Sequence, residues 1–119
     1  MDHDTLADRL RAWTEGCDPH VRAAVELLIG HGYWLNRPDF LEACVSGRGE
    51  GEAWVRWAKA RDYAGTIAVN AGTHNLAVLD LAIAIGGNRY RLSTQGDEDA
   101  RLMMIAFATA LGMEVPRGA

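Results

Sequence analysis

The chain has 119 residues, 49% of them hydrophobic and 24% charged, with a formal net charge of −4. That length and balance predict a single domain, 1–119, able to bury a core without metal or disulfide, and they exclude a largely disordered chain. The mild acidity excludes a strongly basic footprint of the kind that nucleic acid or an anionic membrane attracts.

Thr5 to Trp13 reads as a first helix, with Leu6, Leu10 and Trp13 on one side and Thr5 with Asp8 as a loose capping box. Asp18-Pro19 starts a second helix, whose stripe is Val21, Ala24, Val25 and Leu28 and whose end is set by the glycines of "IGHG". A short helix follows Pro38, facing inward through Phe40, Leu41, Cys44 and Val45. The stretch "GRGEGE", 47–52, is a loop. "EAWVRWAKARDYAG" predicts a fourth helix with Trp54, Trp57 and Ala58 sharing one side. Residues 66–69 and 89–93 have extended character, so a minimal two-stranded ribbon of 66–69 with 89–93 is expected. Between them "NLAVLDLAIAIGG" is a helix over about 74–85, stopped by Gly86-Gly87, with Asp80 as its one polar side chain between Leu76 and Ile85. Asp80 is solvated on a narrow wet strip, is paired with Arg89, Arg91 or Arg101, or has a catalytic role, although His74, six residues before it, is turned to another side of the helix. The last helix begins at "GDEDARL", where Asp97, Glu98 and Asp99 suit the positive end of the helix dipole, and it ends at Gly112.

The expected fold is therefore mainly α, a compact bundle of five or six helices around a central apolar helix at about 74–85. The helices at 74–85 and 99–111 are apolar nearly all round, which predicts burial on several sides. The simplest packing sets them side by side at the centre, with the amphipathic helices and the tryptophans as a jacket.

Chemistry is sparse. Cys17, His20, His31 and Cys44 are zinc-binding types, but their ordinary places are a turn, a first helical turn, a helix C-terminus and the core. There is no nucleophile elbow, phosphate loop or dinucleotide fingerprint in the chain, so no catalytic site, metal or cofactor is expected. Two cysteines are too few for a disulfide framework, and "MDHDTLADRL" lacks the pattern of a secretory leader. The apolar run at 76–85 is about half a membrane span. A cytoplasmic protein with free thiols is expected.

Partner-binding residues are better represented. Trp54, Arg56, Trp57 and Arg61 form a basic-aromatic segment, and Met103, Met104 and Phe107 give the last helix an adaptable apolar face. The first reading is a small non-catalytic protein that binds another protein or a second copy of itself as a homodimer. The alternatives are a nucleic-acid-associated regulator using the Arg56–Arg61 helix, and an enzyme with an unrecognised site. A helix-turn-helix is disfavoured because the 74–85 segment offers almost no polar side chain to base edges.

The stretches "AWVRWA", "NAGTHNLAVLDLAIAIGG", "YRLSTQGDED" and "MIAFATALG" lie within residues 53–112. On them the C-terminal half resembles short uncharacterised proteins of actinobacteria and their bacteriophages. The resemblance implies a phage or mobile-element setting and carries no activity or site residue with it.

Overall fold

The computed structural model describes residues 2–47, 51–66, 70–92 and 96–114. Its elements in chain order are α1 (His3–Thr14), α2 (Pro19–His31), a single 3-10 turn (Trp34–Asn36), α3 (Pro38–Cys44), β1 (Val45–Ser46), β2 (Trp54–Val55), α4 (Trp57–Thr66), α5 (Thr73–Gly86) and α6 (Asp97–Ala110). The fold is mainly α with a minimal antiparallel ribbon.

The helix ends have local causes. The Asp2 carboxylate accepts from the Thr5 N–H at 2.8 Å, so α1 starts two residues before the expected Thr5 and is capped by Asp2 rather than by a Thr5–Asp8 box. That bond also holds the Asp2 carboxyl below its ordinary range. Pro19 opens α2 behind Asp18. Gly32 closes it at φ +76°, a conformation in which a Cβ would be strained, and donates its N–H to the Leu28 carbonyl.

The ribbon forms elsewhere than at 66–69 with 89–93. Its registers are Val45 opposite Val55 and Ser46 opposite Trp54, and the Arg56 N–H extends it to the Cys44 carbonyl at 2.8 Å. Trp54 is therefore in a strand, and α4 begins only at Trp57, so the two tryptophans do not share a helix face. Thr66 ends α4, while 67–69 and 93 lie outside the described residues. The stretch 88–91 cannot extend because it is wound into a turn behind α5. Asn88 and Arg91 take φ of 60° and 52°, and the Arg89 N–H donates to the Ala84 carbonyl at 2.8 Å.

The core joins α1 to α5. Leu6 and Leu10 of α1, Val25 and Leu28 of α2, Phe40 and Cys44 of α3 and Leu79 and Ala82 of α5 are all buried in one cluster. Trp34, Phe40 and Tyr63 meet at ring centroid distances of 5.4–5.9 Å. Trp34 is thus a core residue and not part of a jacket. Its indole N–H donates to the Asn75 carbonyl at 2.9 Å. At the other end of α5, His20 Nδ1 lies 3.0 Å from the Ile85 carbonyl. The start of α2 meets the end of α5, and the turn after α2 meets its beginning, so the two helices run antiparallel. α5 makes its main packing with α2 and a second one with α4.

The close approach of α4 to the end of α5 depends on Gly86. A Cβ there would overlap the fused ring atoms of Trp57. Asp80 is exposed and takes the solvated place considered for it.

α6 departs from expectation. It does not lie beside α5: no residue of α6 is buried, and it makes no substantial contact with another helix. The buried side of α5 is occupied by α2 and α4 instead.

Candidate interaction surface

Among the described residues two apolar surfaces stand uncovered, and the first is α6 itself. Leu102 is 59% exposed, Met104 39%, Phe107 41% and Leu111 70%. Ala100, Met104, Phe107 and Leu111 follow at i, i+4, i+7 and i+11, one continuous stripe along the helix. Met103 is half-buried. Phe107 meets the Tyr90 ring edge-on at 6.1 Å, which ties α6 to the turn after α5. Asp97, Ala100, Arg101 and Met104 border one shallow depression, so an acidic and a basic side chain flank the stripe near its start.

The second surface is a groove of about 920 Å³ between α4 and α5. Trp57, Ala64, Leu76, Ile83 and Ala84 give it apolar walls, and Arg61, Asp80 and Arg89 stand at its edge. These three charged side chains are exposed and have no side-chain partner among the described residues.

The structure divides the expected partner-binding residues into three places. Trp57 and Arg61 come together in the groove, while Met103, Met104 and Phe107 lie on α6. Trp54 and Arg56 lie apart from both on the ribbon. The Trp54 ring packs over Gly47, where a Cβ would meet it at 2.5 Å. Arg56 turns inward, donating from its terminal nitrogen to the Ala43 carbonyl at 2.8 Å. Lys59 and Arg61 remain as the exposed cations of α4.

Sequence reasoning overlooked the best-formed polar cluster. Arg37 binds Asp39 bidentately, at 3.0 Å from Nε and 2.9 Å from its terminal nitrogen. Its other terminal nitrogen donates to the Tyr33 hydroxyl at 3.1 Å, and the Tyr63 hydroxyl donates to Asp39 at 2.6 Å. The guanidinium lies 5.7 Å and 5.5 Å from the centres of the Tyr33 and Trp34 rings. Arg37 and then Tyr63 hold the Asp39 carboxyl down to about 2. Burial, then the bond to Asp39, pushes the Tyr63 phenol up. The cluster fastens α3 to α4 through Tyr63. Only "RPD" hinted at it in the sequence, as a helix start.

Cys44 is buried, and burial pushes its thiol up to about 11, so it is protonated at neutral pH and poorly nucleophilic. The Cys17 thiol donates to the Trp13 carbonyl at 3.5 Å. Among the described residues, no three of His, Cys, Asp and Glu gather as a metal ion would require. No helix among them is long and apolar enough to cross a membrane. Compared with family models, curated proteins and solved structures, the chain matches none of them.

Proposed function

We propose that the protein is a small non-catalytic interaction protein whose contact surface is the apolar stripe of α6. The observation that carries this reading is a two-sided mismatch on one element. α6 has the composition of a buried helix, yet none of its residues is buried. Large contiguous apolar patches on a small protein mark contact sites, and exposed Met and Phe side chains adapt well to a partner. The partner is another protein or a second copy of the chain. The resemblance of residues 53–112 to phage and actinobacterial proteins supports a phage or mobile-element setting, with a host protein among the candidates.

Photo-cross-linking tests the reading. A benzoylphenylalanine in place of Phe107 is irradiated in the native lysate, with the same residue in place of exposed Arg22 as control. Position 107 should give a discrete protein adduct and position 22 none. Absence of an adduct at 107, with the protein folded, overturns the proposal.

A further inference from the structure

We infer that the α4–α5 groove is the docking site for α6 of a second copy of this chain, so that two copies exchange their last helices reciprocally. The inference rests on α6 being a contact surface, and it adds the receptor and the partner.

Shape is the first argument. The groove is open, about 920 Å³, and walled by Trp57, Leu76 and Ile83. The stripe of Ala100, Met104, Phe107 and Leu111 is narrow and continuous, and such a helix face lays into an apolar groove through anchors at i, i+4 and i+7.

Charge is the second. The groove edge carries Arg61 and Arg89 against a single Asp80. Asp97 and Asp99 flank the stripe at the start of α6 against a single Arg101, while Glu98 lies on the far side of the helix. Each side is the sign complement of the other, down to one opposite charge on each: Asp80 for Arg101. Without such a partner, the two arginines of the groove and the acids of α6 have no counter-charge among the described residues. Complementary potentials of this kind fix partner and register more than they add raw affinity.

Area is the third. Half the side of a helix about 21 Å long and about 10 Å across is roughly 330 Å². Two helices seated in two grooves remove roughly 1,300 Å² from water, within the about 1,200–2,000 Å² of specific interfaces. A single docking of α6 onto a foreign surface of the same size falls short of that range. Reciprocal exchange also closes on itself by two-fold symmetry, the commonest arrangement of soluble oligomers, and leaves no open end for further growth.

Charge exchange tests the pose. One variant reverses the groove (Arg61→Glu with Arg89→Glu), and the other reverses the helix start (Asp97→Lys with Asp99→Lys). Sedimentation at micromolar concentration should give twice the mass of one chain for the wild type. Each variant alone now sets like charges together in both grooves, and its self-affinity should fall by at least about tenfold. An equimolar mixture should return to twice the mass, because each variant's helix then matches the other's groove. If the helix variant loses its helical signal, Asp97→Asn with Asp99→Asn takes its place: its self-affinity should fall, and mixed with the groove variant it should restore the pairing that the groove variant lacks alone. A wild type with the mass of one chain at every concentration overturns the inference. So does a mixture that fails to recover. In either case a Phe107 adduct with a different protein still upholds the contact surface, whereas its absence removes both.

Discussion

Asp39 is held by two residues that reach it from different parts of the chain. Arg37 precedes a proline that already accounts for the segment, and Tyr63 lies 24 residues further on. The network exists only once α3 and α4 pack. Its consequence is a pH dependence with a definite sign. The folded carboxyl titrates at about 2 against an ordinary 3.8, so its contribution to stability is present above the ordinary value. That contribution is lost as pH falls through the window from about 4 to about 2. The carboxylate is partly exposed, so salt should weaken the effect. In Tyr63→Phe the hydroxyl donor is gone and the Asp39 carboxyl moves back toward its ordinary range. Urea midpoints should then change less steeply with pH across that window than in the wild type. A second residue-scale expectation concerns Gly86. An added methyl overlaps the body of the Trp57 ring rather than a flexible chain end. Gly86→Ala should cost about 1–3 kcal/mol by overpacking, with a red shift in tryptophan emission as the ring swings outward. Unchanged stability and emission would mean that the groove wall is soft.

At the scale of elements, Leu79 is the direct test of α5. It is fully buried between helices, and Leu79→Ala should cost about 2–5 kcal/mol by denaturant unfolding, while a loss below about 1 kcal/mol would place α5 at the periphery. The helices of this protein are largely legible in the sequence, because their signals are local. Pro19, Gly32 and the Gly86-Gly87 pair mark ends that the chain respects. The ribbon is not legible. Two residues per strand leave no alternation to detect, and the pairing of Val45 with Val55 is a tertiary event. The stretch 89–92 alternates as a strand would, yet the left-handed Asn88 and Arg91 fold it back as a turn. α6 exposes a different limit. All-round apolarity in a helix predicts that something covers it, and carries no information on whether the cover belongs to the same chain. The candidate partner residues divide accordingly. Trp57 and Arg61 fall in the groove and Met104 and Phe107 on the exposed stripe, but Arg56 is consumed by the Ala43 carbonyl. Leu76, Ile83 and Arg89 join the groove only through the crossing of α4 and α5, which no spacing within a single segment reveals.

At the scale of the whole molecule, the principal extents are 43 × 33 × 23 Å, and α6 adds to the outline without adding to the core. A chain ended after Leu92 should therefore keep a cooperative thermal transition. At concentrations low enough to hold the wild type monomeric, the two melting temperatures should agree within about 4–8 °C, the shift expected of about 1 kcal/mol in a domain of this size. Loss of the transition would show that the last helix supports the fold. The bonds at the two ends of α5 have a kinetic consequence of their own. They join residues 41 and 65 positions apart, so α5 docks on α2 only after a long loop has closed. The α1–α2 hairpin needs no such closure and belongs early on the folding route. A change at Leu79 should then accelerate unfolding far more than it slows folding, whereas a change at Leu10 should act mainly on the folding limb of the chevron.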